Sequence, residues 1–149
     1  MEIIEIKTDE ALERCYLVLK ELREDLSFQN FTYLYQEAKK RDDYRLVGIF
    51  QDGKCVAVMG FRILYDFVHG KHLYVDDLVV TKEKRSSGMG AELLCYAETE
   101  AAHHQCQGLR LCTGIDRKEA RRFYDRNGWE PKALAYKKRL KENPSSLRV

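Results

Sequence analysis

Apolar residues recur at helical spacing in several stretches of the chain. Thr8 can cap a first helix, whose apolar side chains follow at steps of three and four: Leu12, Cys15, Leu19, Leu22 and Leu26. A second, short helix is predicted over residues 30–40, with this inner side: Phe31, Leu34, Tyr35 and Ala38. A third is predicted from residue 88 to about 107, with this inward face: Met89, Leu93, Leu94, Ala97 and Ala101. The last predicted helix covers residues 118–127.

Shorter apolar runs predict the strands. These runs are residues 3–6, 44–50, 54–65, 71–80, 109–113 and 136–140. Asp52-Gly53 and His69-Gly70 are turn signals between successive runs, so three of the strands form an antiparallel meander. Gly128 follows the last helix, where a helix end favours a residue that tolerates positive φ. The pattern as a whole predicts a mixed α/β fold.

Length and charge point to one soluble enzyme-sized domain. The 149 residues carry a net charge of +2, from 26 basic and 24 acidic residues, which gives no strong field for nucleic acid or a membrane. There is no apolar run near ~18 residues, and charged residues interrupt the start of the chain. A cytoplasmic location is the expectation. We expect one domain over residues 1–140 and a frayed polar tail over residues 141–149.

The cysteines and histidines do not predict a metal site. The five cysteines, at positions 15, 55, 95, 106 and 112, form no C-x-x-C pair, so they are expected to be small buried hydrophobes. His103 and His104 are neighbours on a predicted helix, where adjacent side chains diverge by about 100° and cannot easily share an ion. We therefore expect no metal.

The segment from Val79 to Leu94 runs from an apolar strand through a basic loop into a helix that two glycines open. Gly88 and Gly90 lack a Cβ, so an anion can approach the backbone, and the unpaired N–H groups of a first helical turn point towards it. Arg85 adds positive charge at the rim of this loop. The spacing is not that of a dinucleotide-binding fold, and the Gly-Lys-Ser/Thr of a P-loop is missing.

Arg85-x-x-Gly88-x-Gly90 resembles the pyrophosphate loop of the GNAT superfamily of N-acetyltransferases. A later segment, Ala120 to Trp129, resembles that family's Ala-x-x-Phe-Tyr-x-x-x-Gly-Phe, with Trp129 in place of the final Phe. The resemblance covers roughly residues 1–140. It implies a single-domain fold in which about four helices flank a mixed, mostly antiparallel sheet of about six to seven strands.

The resemblance implies an enzyme that transfers an acetyl group from acetyl-CoA to a primary amine by direct attack in a ternary complex. The alternative is a non-catalytic acyl-CoA-binding or regulatory domain on the same fold. The expected acceptor is a small-molecule or protein amine, with no nucleic acid or membrane as partner, and a homodimer stays open. By resemblance, these residues contact the cofactor: Leu78, Val79, Val80, Arg85, Ser86, Ser87, Gly88, Met89, Gly90 and Tyr124.

Three residues are expected to carry the chemistry. By resemblance, the Tyr124 hydroxyl protonates the departing CoA thiolate, although Phe123 and Tyr124 could both be core aromatics. Asp76 stands nine residues before Arg85, where the resemblance places an acidic base, and Asp77 fits the accompanying structural acid. Successive strand residues face opposite sides, so only one of the two should face the cleft unless a bulge intervenes. Each could also be a solvated or capping acid.

The acceptor pocket is expected near residues 25–40 and 62–72. These segments carry an acidic and aromatic set that is compatible with a cationic ligand: Asp25, Tyr33, Tyr35, Glu37, Tyr65, Asp66 and His69. Arg117 departs from the family pattern, because many relatives have Asn at this position.

Overall fold

The computed structural model describes residues 2–140. Within them the elements are β1 (Glu2–Glu5), α1 (Asp9–Leu22), α2 (Phe28–Asp42), β2 (Arg45–Gln51), β3 (Lys54–Asp66), β4 (Gly70–Val80), a 3-10 turn (Lys82–Lys84), α3 (Met89–His103), β5 (Gly108–Leu111) and α4 (Lys118–Arg126). The mixed α/β fold and the four helices are confirmed. The expected strand count is wrong, because the described residues form five strands and residues 136–140 are irregular. The expected tail lies outside the described residues.

The described chain divides into two compact units, with the boundary between Leu111 and Cys112. The first unit contains the whole sheet and α1 to α3. The second contains α4, after which Gly128 has φ 85°, as the sequence predicts for a helix end. No helix of the described part is long and apolar enough to cross a membrane.

The sheet has the order β1-β2-β3-β4-β5, with four antiparallel strands and β5 parallel to β4. Asp52 (φ 50°) and Gly53 (φ 77°) form the tight turn between β2 and β3, which confirms the hairpin predicted from this pair. β5 is an edge strand that ends at Leu111, so the expected strand 109–113 is too long.

Two apolar clusters cover the two faces of the sheet. One joins α1 and α2 to the sheet through residues such as Leu19, Phe31 and Val58, and the other joins α3 through residues such as Leu93 and Met59. The whole predicted inward face of α3 is buried.

Three sequence expectations about buried side chains need correction. Leu34 is 53% exposed, because α2 buries only Phe31 and Tyr35. Leu26 lies beyond the end of α1 at Leu22, in the loop before α2, although it still packs against the apolar cluster. Of the cysteines, Cys15 and Cys55 are buried, whereas Cys95 and Cys112 are exposed and Cys106 is half-buried.

Candidate active site

A β-bulge in β4 places Asp76 and Asp77 on the same face of the sheet. Asp77 is opposite Gly60 and Val75 is opposite Phe61, so Asp76 is the extra residue. The Tyr44 hydroxyl lies over Gly60, where a Cβ would come within 1.7 Å of its oxygen, and donates to Asp77 at 3.0 Å. Arg62 is two residues beyond Gly60, hence on the same face, and it binds Asp76. The bulge therefore replaces the expected opposite orientation of the two acids.

Asp76 is a half-buried carboxylate held by one guanidinium. Arg62 donates to its two oxygens from Nε at 2.9 Å and from a terminal nitrogen at 2.7 Å. Burial is the largest influence and raises the pKa of Asp76 above its ordinary value; Arg62 opposes this shift, and the negative charges of Asp77 and Asp42 add to it. Asp76 therefore accepts a proton more readily than a solvated aspartate does.

Asp77 is fixed by two donors from outside the strand. Tyr44 donates at 3.0 Å, and Arg23, in the loop after α1, donates at 3.2 Å. Burial, with Asp77 as a further cause, raises the pKa of Tyr44 well above its ordinary value, so this hydroxyl remains a donor. The arrangement fits an acid that stabilises the strand.

β4 loses its β5 partner after Val75, immediately before the bulged residue Asp76. The pairing runs from His72 with Gly108 to Val75 with Leu111, and no described strand pairs with that edge of β4 beyond this point. Thr81 donates its N–H to Val56 on β3 at 2.9 Å. Because backbone N–H groups alternate along a strand, those of Leu78 and Val80 point to the unpaired edge. This edge offers backbone donors to a bound ligand.

The basic loop ends at a helix N-terminus that no side chain caps. Gly88 is the N-cap of α3 with φ 87°, and a Cβ there would meet no atom within 4 Å. Ser86 also has positive φ, 64°, which is uncommon for a residue with a side chain. The first N–H groups of α3, which include those of Met89 and Gly90, have no intrahelical acceptor. Together with exposed Arg85, these groups can hold an anion in the open space before Gly88.

An open cavity of about 570 Å³ lies at the loop that follows α1, and it is lined by residues 21–26. Asp25, one of the expected acceptor-pocket residues, belongs to this lining. Of the other expected pocket residues, Tyr35 is buried and lines a different cavity of about 650 Å³, and Glu37 pairs with Arg41 at 2.9 Å. Tyr33 and Tyr65 are exposed.

Asp66, His69 and His72 form the one group of described residues with metal-ligand composition, with ligand atoms within 4.8 Å of one another. Both ring nitrogens of His72 are already engaged. Its Nδ1 lies 2.9 Å from the carbonyl oxygen of Gly70, and its Nε2 accepts from Arg110 at 2.9 Å. Arg110 thus occupies the Nε2 lone pair that an ion would need, and this cluster fits a hydrogen-bonded strand connection.

Tyr124 lies on α4 in the second unit, where its ring packs at 5.2 Å from Phe123 and 6.1 Å from Trp129. Burial raises the pKa of Tyr124, and nearby Arg117 opposes this shift. The hydroxyl is therefore protonated at neutral pH, as a proton donor must be.

Sequence reasoning missed the partners of the two acids. Arg62, Tyr44 and Arg23 come from other elements, and nothing in the local sequence marks them as partners of Asp76 and Asp77. The register of β3 against β4 brings Arg62 to Asp76, while Arg23 reaches Asp77 from the loop after α1 and Tyr44 reaches it from the connection between α2 and β2.

Comparisons with known proteins found one family model, relatives in sequence and solved structures of the same fold. The model of the acetyltransferase (GNAT) family matches residues 7–129. An uncharacterized N-acetyltransferase of Bacillus subtilis is 27% identical over 90% of this chain and 95% of its own. The aminoalkylphosphonate N-acetyltransferase of Salmonella typhimurium is 27% identical over 94% of each chain. The aminoglycoside N-acetyltransferase AAC(6')-Iy, solved with a bisubstrate CoA analogue, has a TM-score of 0.80 at 16% identity and covers 93% of this chain and 98% of its own.

Proposed function

The chain belongs to the acetyltransferase (GNAT) family and is an acyltransferase, and we propose that it moves an acetyl group from acetyl-CoA to a primary amine by direct attack in a ternary complex. One observation carries the proposal. β4 carries the two acids at its bulge and leads towards the uncapped N-terminus of α3. Between them, the outer edge of residues 78–80 has no strand partner in the described chain. Acid, strand edge and anion site are the three parts that this reaction needs.

In the proposed complex the loop from Arg85 to Gly90 holds the pyrophosphate of acetyl-CoA. The N–H groups of the first turn of α3 and the backbone of Ser86 and Ser87 face the phosphates, and Arg85 neutralises part of their charge. The pantetheine arm lies along residues 78–80, where the N–H groups of Leu78 and Val80 bind it and the oxyanion. A protein of the same fold was solved with a bisubstrate CoA analogue, which supports CoA as the ligand.

The acceptor amine must lose a proton before it attacks. A lysine-like amine with pKa near 10.4 is neutral in only about one molecule in 2,500 at pH 7, a deficit of roughly 4.6 kcal/mol. Asp76 is the proposed base, directly or through a water, and its raised pKa supports this role. Asp77 is the structural acid, held by Tyr44 and Arg23. Tyr124 is the proposed donor of a proton to the CoA thiolate, because it occupies the family's Phe-Tyr position.

The proposed acceptor is a small cationic amine. The aminoalkylphosphonate and aminoglycoside enzymes named above support a small-molecule acceptor. Glu24 and Asp25 line the cavity after α1 and would attract a positive charge. A protein amine is the second acceptor class, and the same panel of acceptors tests it.

The test is binding and thiol release. CoA and acetyl-CoA should raise the melting temperature, by an amount that corresponds to about 2.7 kcal/mol at a hundredfold excess over Kd, while adenosine should have little effect. Gly88→Val should abolish this shift, because its side chain would fill the open space at the anion site. Gly53→Val is the matched control: it also has positive φ and open space, but it lies in the β2–β3 turn.

Unchanged CoA affinity in a folded Gly88→Val variant would overturn the assigned anion site. Thiol release from acetyl-CoA should depend on an amine from a panel of small amines and peptides. CoA binding without thiol release for any acceptor would favour the non-catalytic alternative.

A further inference from the structure

Glu21, in the last turn of α1, binds the start of the basic loop. Its carboxylate accepts from the Thr81 hydroxyl at 2.6 Å and from the Lys82 N–H at 3.0 Å. Thr81 is the N-cap of the 3-10 turn Lys82–Lys84, but its own side chain makes no capping hydrogen bond. Glu21 therefore supplies, from a distant part of the chain, the acceptor that a capping side chain would provide.

Hydrogen bonds within the loop connect the segment that Glu21 holds to the proposed phosphate site. Arg85 donates its N–H to Lys82 at 3.4 Å, and the Ser87 hydroxyl donates to the Lys84 carbonyl. Ser86 lies between them with φ 64°. A residue with a side chain holds such a conformation only when its surroundings fix it. The segment from Lys82 to Lys84, which Glu21 fixes, provides these surroundings.

The same end of α1 also contacts Asp77, one of the two acids. Arg23 donates to Asp77 at 3.2 Å, and residues 21–26 line the cavity proposed for the acceptor. The short segment from Glu21 to Arg23 therefore bridges the loop for one substrate and the cavity for the other. Through these contacts, a ligand that orders the basic loop can also order the cavity loop, residues 22–26.

We propose that Glu21 is a positioning residue that preorganises the basic loop for CoA and couples CoA binding to the acceptor cavity. This inference rests on the proposed acetyl-CoA-dependent function. The direction of the change in CoA affinity separates this role from a simple charge effect. Glu21 is negative and lies beside the proposed site for a polyanion, so Coulomb repulsion alone would make its removal tighten CoA binding. Preorganisation predicts the opposite.

The first experiment compares CoA affinity by calorimetry in three variants. Glu21→Ala should raise the Kd for CoA about tenfold, as expected when two charge-assisted hydrogen bonds that shape the site are lost. Glu21→Gln should stay within about twofold of wild type, because its amide can accept from Lys82 N–H and donate to the Thr81 hydroxyl. Glu13→Ala, at an exposed position of the same helix, is the control for net charge. Equal or tighter binding by Glu21→Ala would overturn the inference.

The second experiment measures hydrogen exchange with and without CoA. In the wild type, CoA should slow exchange both in residues 82–90 and in the cavity loop, residues 22–26. In Glu21→Ala, saturated with CoA, protection should persist in residues 82–90 and be lost in residues 22–26. Equal protection of the cavity loop in both proteins would refute the coupling. If the wild type itself does not bind CoA, the proposed function fails; if it binds and the variants do not differ, only the role of Glu21 fails.

Discussion

Gly60→Ala should be strongly destabilising, because the Tyr44 ring occupies the space of the new methyl group. The added Cβ would lie 1.7 Å from the Tyr44 hydroxyl oxygen and 2.3 Å from its Cζ, whereas non-bonded atoms need about 3.5 Å. The ring must move by more than about 1 Å, which costs about 1–3 kcal/mol of overpacking. It also loses the hydrogen bond to charged Asp77, a loss of about 1.5–3 kcal/mol. We expect about 3 kcal/mol or more in total.

Urea denaturation followed by circular dichroism measures this loss, with Gly108→Ala as the matched control. Gly108 also lies in a strand, but a Cβ there meets no atom within 4 Å, so its replacement should change the free energy of unfolding by less than about 1 kcal/mol. In a Tyr44→Leu background, Gly60→Ala should cost much less, because the ring is gone. Equal free energies of unfolding for Gly60→Ala and Gly108→Ala would refute the reasoning.

Three further predictions concern the proposed chemistry. Tyr124→Phe should keep the fold and CoA binding and lower turnover by about 10²–10⁴, measured as thiol release; a wild-type rate would leave the residue with a packing role only. Asp76→Asn should reduce kcat/KM more at pH 6.5 than at pH 9, because the base matters most where neutral amine is scarce, whereas Asp77→Asn should chiefly lower the melting temperature; equal losses at both pH values would instead make Asp76 a binding residue. Burial raises the pKa of Asp76 in the folded protein, so the native state holds the proton that the unfolded state has already released, and the stability advantage of wild type over Asp76→Asn should shrink as pH rises from the unfolded pKa through the folded one. Urea titrations between about pH 4 and 7 measure this difference; an advantage that grows with pH would mean that Arg62 outweighs burial.

Local sequence signals predicted most of the fold. The Asp52-Gly53 turn and the buried stripe of α3 follow from short-range rules, because both depend only on residues near one another in the chain. The exposed Leu34 shows where these rules stop: helical spacing gives a face, but only packing decides how wide the buried part is. Residues 136–140 have strand-like composition, and no described strand pairs with them.

For the candidate site, the sequence names the residues expected to take part, whose roles stay predictions, but it does not predict their geometry. The sequence predicts Asp76 and Asp77 as candidates from their place in the chain. Their common face depends on a β-bulge, which no residue type in this segment predicts. The same holds for Glu21, because its contact with Thr81 and Lys82 joins segments far apart in sequence. Tertiary contacts of this kind need the folded chain.

The strand pairs of the sheet differ in the chain entropy that is lost when each pair forms. β2, β3 and β4 are joined by tight turns, so their pairing brings together neighbours such as Gln51 with Lys54 and Asp66 with Gly70. The outer pairs join distant residues, Glu5 with Val47 and Val75 with Leu111, and their closure costs more chain entropy. The meander that contains Gly60 can thus form from local contacts, before α1 and α2 cover one face and before β5 adds the edge beside the unpaired stretch of β4. In this protein the acids lie on strands whose pairing closes short loops, whereas the outer strands of the sheet close long ones.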